Sequence, residues 1–218
     1  ALWIRWCKPC AQYHRGPPPK QAELNPFPAS SPFEVLSVDI TGPHPRSRDG
    51  NEYILTAVDV FSKWAEAIPI RAHTAVIVAK RLVDHVFSKF GVPLRLLSDQ
   101  GPEFESELMA ELCRTHGIEK IRTTSYKPST KGVCERIHRT LNSMLGKVVS
   151  ESQRDWDRHV GPVMAAYRAT VHKSTGYTPN FLVLGRENRA PVDLVLAVGD
   201  DEPTGVGAST DEYVQELL

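Results

Sequence analysis

Three strand-like segments in a row, with no helical pattern between them, restrict this 218-residue chain more than any other feature. They are Phe33–Ile40, Glu52–Val60 and Ala65–Ile70. In the first, Leu36, Val38 and Ile40 fall on one face while Val35, Ser37 and Asp39 fall on the other, the period of two that a strand requires. Thr41-Gly42-Pro43 breaks that strand, and Arg48-Asp49-Gly50-Asn51 is a turn signal, so the first strands are expected to pair as an antiparallel hairpin. Strands and helices then alternate. Thr74 stands where an N-cap belongs, before a helix at 75–90 with Val76, Ala79, Val83, Val86, Phe87 and Phe90 at helical spacing. Gly91 and Pro93 stop it. A short apolar strand, Leu94–Ser98, leads into Asp99. A helix follows over Phe104–His116, then a strand over Ile118–Thr124, a polar loop over 125–132, and helices over Val133–Glu151 and Asp155–Val171. Strands first and alternation afterwards predict an α/β protein with a mixed sheet covered by helices.

Around that central region the composition changes. Residues 17–32 carry Pro17, Pro18, Pro19, Pro26, Pro28 and Pro32 without periodicity and read as an extended linker. Residues 1–16 are basic and aromatic and contain Cys7-Lys8-Pro9-Cys10. Four cysteines in the chain do not make a disulfide framework. Opening without a signal-peptide pattern, the chain reads as a fragment of a longer polypeptide. No run of 18 apolar residues is present, so no membrane partner is expected. From Ala190 onward, Asp193, Asp200, Asp201, Glu202, Asp211, Glu212 and Glu216 are joined by no Lys or Arg. That acidic tail, 191–218, ends in Ser209-Thr210-Asp211-Glu212, a capping-box pattern that opens a further helix. The zero net charge of the whole chain therefore hides an excess of +7 over residues 1–189. Between Arg114 and Arg139 there are seven Lys or Arg and two Glu. Such a local surplus suits a polyanionic partner.

Three acids stand where sites form. Asp39 ends the first strand and Asp99 ends the apolar strand. Glu135 begins the long helix. In open sheets, ligands gather at strand ends. Carboxylates that converge without cations of their own suit hard divalent metals with oxygen ligands. Two such ions can hold the attacking and leaving oxygens of a phosphoryl transfer. Asp59 also lies near a strand end, and Glu103 and Glu105 start a helix, where they would serve its dipole.

Asp99 and Glu135 have 35 residues between them, and with Asp39 upstream this is a D,D-35-E arrangement. The surrounding segments VDITGP, TAVDVFSKWAEAIPI, LLSDQGPEF and YKPSTKGVCERIHRTLNSML carry more information than the spacing. With DWDRHVGPVMAAYRATVHKSTGYTPNFLVLGRE downstream, they resemble the catalytic core of retroviral and long-terminal-repeat retrotransposon integrases, gypsy-type branch. The resemblance runs over roughly residues 1–190, with 33–190 as the core. It implies an RNase H-like fold with a five-stranded mixed sheet flanked by helices. It also implies metal-dependent trimming of element DNA ends and their joining to target DNA by direct transesterification. Asp39, Asp99 and Glu135 would be the catalytic metal ligands for two Mg²⁺ or Mn²⁺. DNA, a second copy of the chain in a dimer or tetramer, and a chromatin tether are the partners implied, with the nucleus as the place of action. A catalytically silent, domesticated DNA- or protein-binding module is the alternative, and an RNase H-like nuclease a further one.

Further residues are marked by the same comparison. The family carries a DNA-gripping loop where this chain has Tyr126, Lys127, Ser129, Thr130 and Lys131. Lys127, Lys131 and His138 depart from the residues common at their positions. Glu135, Arg139 and Asn142 share one helical face at i, i+4 and i+7, which would place Arg139 and Asn142, with Arg136 beside them, against a DNA backbone. Cys7 and Cys10 are expected to be half of a His-His-Cys-Cys zinc module whose histidines lie upstream. A thioredoxin-type reading fails because no strand precedes the pair. Cys113 and Cys134 are expected to be plain buried thiols.

Overall fold

The computed structural model describes residues 29–122 and 128–188, without the side chains of 128–133 and 135. Five strands form one sheet: β1 (Val35–Thr41), β2 (Tyr53–Asp59), β3 (Ala65–Ile70), β4 (Arg95–Ser98) and β5 (Glu119–Arg122). Their spatial order is β3-β2-β1-β4-β5. The β1–β2 and β2–β3 pairs are antiparallel, as the run of three strands predicts. The β1–β4 and β4–β5 pairs are parallel, as the later alternation predicts.

Among the described residues, five helices flank it. Helix α1 spans Ala75–Leu82, passes through a π-turn at Val83–Phe87 and closes with Ser88–Phe90. The others are α2 (Glu107–Thr115), α3 (Pro128–Leu145), α4 (Trp156–Arg168) and α5 (Pro179–Leu184). The alternation of β1 decides which layer each side chain joins. Leu36 and Val38 enter a core with Val78, Leu82 and Phe87 of α1 and Met109 and Cys113 of α2. The opposite face of the sheet, with Ile54 and Val58 of β2, packs on Cys134, Ile137, Leu141 and Leu145 of α3 and on Trp156, Val160 and Tyr167 of α4. Each such aliphatic or aromatic side chain stabilises by about 1.5–3 kcal/mol through burial. The apolar faces of α1 and α4 are thus spent on the chain's own sheet. Among the described residues, no helix is long and apolar enough to cross a membrane.

Three expectations shift. The long helix opens at Pro128, not near Val133, because proline is pre-organised for a first helical position. Ser129, Thr130 and Lys131 therefore belong to the first turns of α3, not to a loop, while Tyr126 and Lys127 lie outside the described residues. The helix also ends at Leu145, ahead of Gly146, a residue that weakens helices. Glu103 and Glu105 do not start α2, which opens at Glu107 and not at Phe104, capped by Ser106, whose side chain accepts from Met109 N; Glu105 pairs with Lys120 at 2.6 Å and with Arg122 at 2.6 Å on the edge strand β5. Helix α5 adds an element the apolar pattern does not announce. Its signals are local: Thr178 accepts from Phe181 N at 3.0 Å, Pro179 follows, and Gly185 closes with φ +70°. Cys7, Cys10, the capping box at 209–212 and the rest of the acidic tail lie outside the described residues.

Candidate active site at the ends of the parallel strands

The two aspartates meet because of strand register. In the parallel β1–β4 pair, Ser37 lies opposite Leu97. Continuing both strands by two residues sets Asp39 beside Asp99, at the carboxyl ends of adjacent parallel strands in the centre of the sheet. Such ends leave backbone polar groups unpaired and make room for ligands. Asp39 shares the face of Ser37, and Ser37 Oγ lies 3.1 Å from Cys134 Sγ of α3. The first part of α3 therefore lies over this strand end, and Glu135 is the next residue along it. Its carboxylate is not among the described side chains.

Cys134 reports how close the acids are. Burial pushes its thiol up to about 12, the hydrogen bond to Ser37 opposes this, and the negative charges of Asp39 and Asp99 both add to the rise. The expectation of plain buried thiols holds for Cys134 and for Cys113, which are both free and buried.

Each aspartate is held locally. Asp39 Oδ1 accepts from Ile40 N at 2.9 Å, and Asp39 Oδ2 faces His138 Nδ1 at 3.7 Å. The other imidazole nitrogen, Nε2, lies 2.8 Å from Thr56 Oγ1, and that hydroxyl donates to the carbonyl of Asp39 at 3.1 Å. Thr56 is the in-register partner of Asp39 on β2, fully buried on the same face. The hydroxyl has one proton, so it serves both bonds at once only in the His138 tautomer that carries its proton on Nε2. Sequence reading missed Thr56. The signal was its position on the α3 face of β2, which only the register reveals.

Asp99 Oδ1 accepts from Gly101 N at 2.9 Å. A Cβ on Gly101 would stand 2.9 Å from Glu103 Oε1 and 3.1 Å from Asp99 Oδ1, so a larger residue there requires the flexible Glu103 side chain to move. Gly42, after β1, is constrained more strictly, with φ +141° and Tyr53 Cδ1 2.7 Å and Glu52 O 2.8 Å from a would-be Cβ. Arg139 and Asn142 are both exposed on α3, and Arg136 is exposed on its adjoining flank.

Asp59 is not part of the site. It is fully buried and accepts from Phe33 N, Phe61 N, Ser62 N and Ser62 Oγ at 3.0, 3.3, 2.8 and 2.5 Å, so its carboxylate is consumed in tying the β2–β3 turn to the start of β1.

Two carboxylates side by side repel, and a divalent cation with a preference for oxygen relieves that repulsion. The donor set at Asp39 and Asp99 therefore fits Mg²⁺ or Mn²⁺. Among the described residues, no three His, Cys, Asp or Glu side chains close around a metal by themselves. A complete site needs a further ligand, and Glu135 is the acid that follows Cys134 in α3.

Residues 29–128 match the family model of the integrase core domain. The chain is 33% identical over 159 residues to the retrovirus-related Pol polyprotein from transposon 412 of Drosophila melanogaster, covering 73% of this chain and 13% of that one. It is 26% identical to gypsy retrotransposon integrase-like protein 1 of Bos taurus, covering 98% of this chain and 42% of that one. The chain thus spans a small part of these relatives. Its fold matches the HTLV-2 integrase catalytic core domain solved in complex with magnesium, with TM-score 0.58 and 18% identity over 72% of this chain and 99% of that one. The fold is RNase H-like, as the sequence resemblance implies.

Proposed function

Because this chain belongs to the integrase core-domain family, we propose that it is the catalytic core of a polynucleotidyl transferase that trims element DNA ends and joins them to target DNA. The observation that carries the proposal is the register that brings Asp39 and Asp99 together beneath the start of α3.

Asp39, Asp99 and Glu135 would hold two Mg²⁺ or Mn²⁺, and the ions would supply activation of a hydroxyl nucleophile and stabilisation of the departing 3′ oxygen. The remaining work falls to the chain. Thr56 and His138 fix the orientation of Asp39. Gly101 lets the β4 loop fold back so that Asp99 stays aimed at the strand ends. Arg139 and Asn142, exposed one and two turns past Glu135 on the same flank of α3, are placed to hold the DNA backbone. Ser129, Thr130 and Lys131 at the start of α3, with Tyr126 and Lys127 before them in sequence, are further candidates for contact with the DNA. The magnesium in the HTLV-2 core supports the metal assignment.

Joining two ends to one target needs two active sites held together, so a dimer or tetramer is the working form, and the target makes chromatin the setting, with a tether there and the nucleus as the compartment. Cys7 and Cys10 supply two of four ligands of an upstream zinc module.

The test is strand transfer with Mn²⁺ and a labelled oligonucleotide ending as an element end, with Glu135→Gln alongside. Joined product that disappears in the variant supports the proposal. Nicking without joining selects the nuclease reading. DNA binding without any reaction, from a chain restored to its upstream residues, selects the domesticated module.

A further inference from the structure

A second cavity, of about 570 Å³, opens on the flank of α3 that adjoins the active-site flank. Arg136 of α3, Lys63 of the β2–β3 turn, and His172 and Lys173 after α4 line it, with Met144 and Tyr167 on its apolar side. Among its described lining residues there is no Asp or Glu, and threonine and serine hydroxyls complete the wall. Neither Arg136, Lys63 nor Lys173 forms an ion pair among the described residues. The geometry of Lys63 is fixed, not incidental. Its backbone is left-handed at φ +64°, its carbonyl accepts from Tyr167 Oη at 3.1 Å, and its Nζ donates to Val60 O at 2.5 Å. The cations also act against each other. Burial lowers the Lys63 ammonium, Asp59 opposes the shift and Arg136 adds to it, while burial and then Lys63 lower His172. A concave, partly apolar site lined by several cations, with no acid among its described lining residues, suits an anion that brings an apolar part with it.

We propose that this cavity binds a phosphodiester of a nucleic-acid strand, with the sugar or base against Met144 and Tyr167. A strand fits better than a free anion because the cavity continues from the active-site flank of α3: 136, 140 and 144 follow one another along the flank next to 135, 139 and 142. A strand held at Asp39 and Asp99 would reach Lys63 by running along β1 towards its start, where Val60 N donates to Val35 O. This inference rests on the DNA-joining reading only for which strand is bound.

The chain has three methionines, so methyl-labelled methionine gives three signals. Met144 lines the cavity, while Met109 and Met164 are buried in the two cores. Adding inorganic phosphate, and then a short single-stranded oligonucleotide, to the Asp99→Asn chain is expected to move the Met144 signal and leave Met109 in place. The Asp99→Asn background separates this binding from catalysis, so strand transfer could fail while the cavity still binds. Arg136→Glu with Lys173→Glu, both at exposed side chains, is expected to abolish the Met144 shift. It is also expected to weaken oligonucleotide binding about tenfold and to flatten the salt dependence by about 0.7 per lost phosphate contact. Lys89→Glu, an equal charge change at the far end of α1, is expected to leave the Met144 shift and the salt slope unchanged. A Met144 signal that phosphate and oligonucleotide both leave unmoved overturns the proposal. So does an equal loss with Lys89→Glu, which would mean net charge alone. So does a Met144 shift produced only by a peptide of residues 190–218, which would make the cavity a seat for an acidic segment.

Discussion

Asp39 and Asp99 occupy matching positions on neighbouring parallel strands, two residues beyond Ser37 and Leu97, the last pair of the β1–β4 ladder. Asp39 lies within β1, and Asp99 stands one residue past the end of β4, where its carboxylate accepts from Gly101 N in the loop that follows. Asp99→Asn should leave the fold intact and reduce strand transfer by more than the 10–100-fold that outer-shell changes cost a metal site. A second readout avoids activity altogether. Mn²⁺ should raise the melting temperature of the parent chain and leave that of Asp99→Asn where it was. Equal stabilisation of both would remove Asp99 from the ligand set.

Thr56 holds Asp39 by its carbonyl and His138 by its ring. Thr56→Val keeps the shape and deletes the hydroxyl that meets His138 Nε2 and the Asp39 carbonyl. The cost should be about 1–3 kcal/mol in urea unfolding, with strand transfer falling further than the loss of folded protein explains. His138→Asn, which can still hydrogen-bond, should recover part of that activity relative to His138→Leu.

Asp59 looks like a fourth candidate acid in the sequence and behaves as a structural one. Asp59→Asn keeps the size but loses the charge to which four donors point. Hydrogen bonds to a charged group contribute about 1.5–3 kcal/mol each, and a destabilisation of about 3 kcal/mol is expected. The Mn²⁺-induced shift in melting temperature should persist in whatever folds. Its disappearance would place Asp59 in the metal site after all.

Glu34 sets an acid limit. Hydrogen bonds from Ser30, and after them Arg95, hold its carboxyl down at about 2 against an ordinary 4.5. A depressed carboxylate favours the folded state above its unfolded value and loses that effect as pH falls towards the folded one. Stability should therefore decline from about pH 4.5 down to about 2, and Glu34→Gln should lessen the decline. Arg95 Nη2 lies 2.5 Å from Glu34 Oε1 where β1 and β4 begin to pair, so the change is felt at the base of the ladder that aligns the two aspartates.

Cys134 sets a limit at the other end. A thiol near 12 when folded and near 9 when unfolded stays protonated in the native state while the unfolded chain ionises. Between those values, rising pH favours unfolding. Native protein at pH 8 should resist iodoacetamide at Cys134 until urea exposes it. Rapid alkylation without unfolding would show that α3 lifts off the sheet.

The strands were legible because their evidence is local. The alternation in Val35–Asp39 assigns Leu36 and Val38 to one core and Ser37 and Asp39 to the other face, and the structure keeps that assignment. Ala65–Ile70 is the same six residues in both. The ends of α3 were less legible, since Pro128 and Gly146 act by stopping or starting a helix whose apolar face continues past them. Thr56 and Lys63 were invisible for another reason. Neither has a chemical signature, and each matters only through what the register of β2 and the turn after it bring close. Glu105 shows the converse: an acid before a helix has a sequence-level role, and two basic side chains of β5 outbid it.

The central β1–β4 pair also joins two parts of the chain that are otherwise self-sufficient in their pairing. Strands β1, β2 and β3 form a meander from one continuous stretch, and β4 and β5 pair across α2 within the next. Each stretch owns one aspartate. A chain cut between them, at exposed Gly91 and Val92, would part Asp39 from Asp99 and Glu135 and divide both cores, since α2 packs on β1 and α3 and α4 pack on β2. Under the proposed metal site, full metal affinity would return only on mixing the two pieces, and the ion would report the closing of the seam.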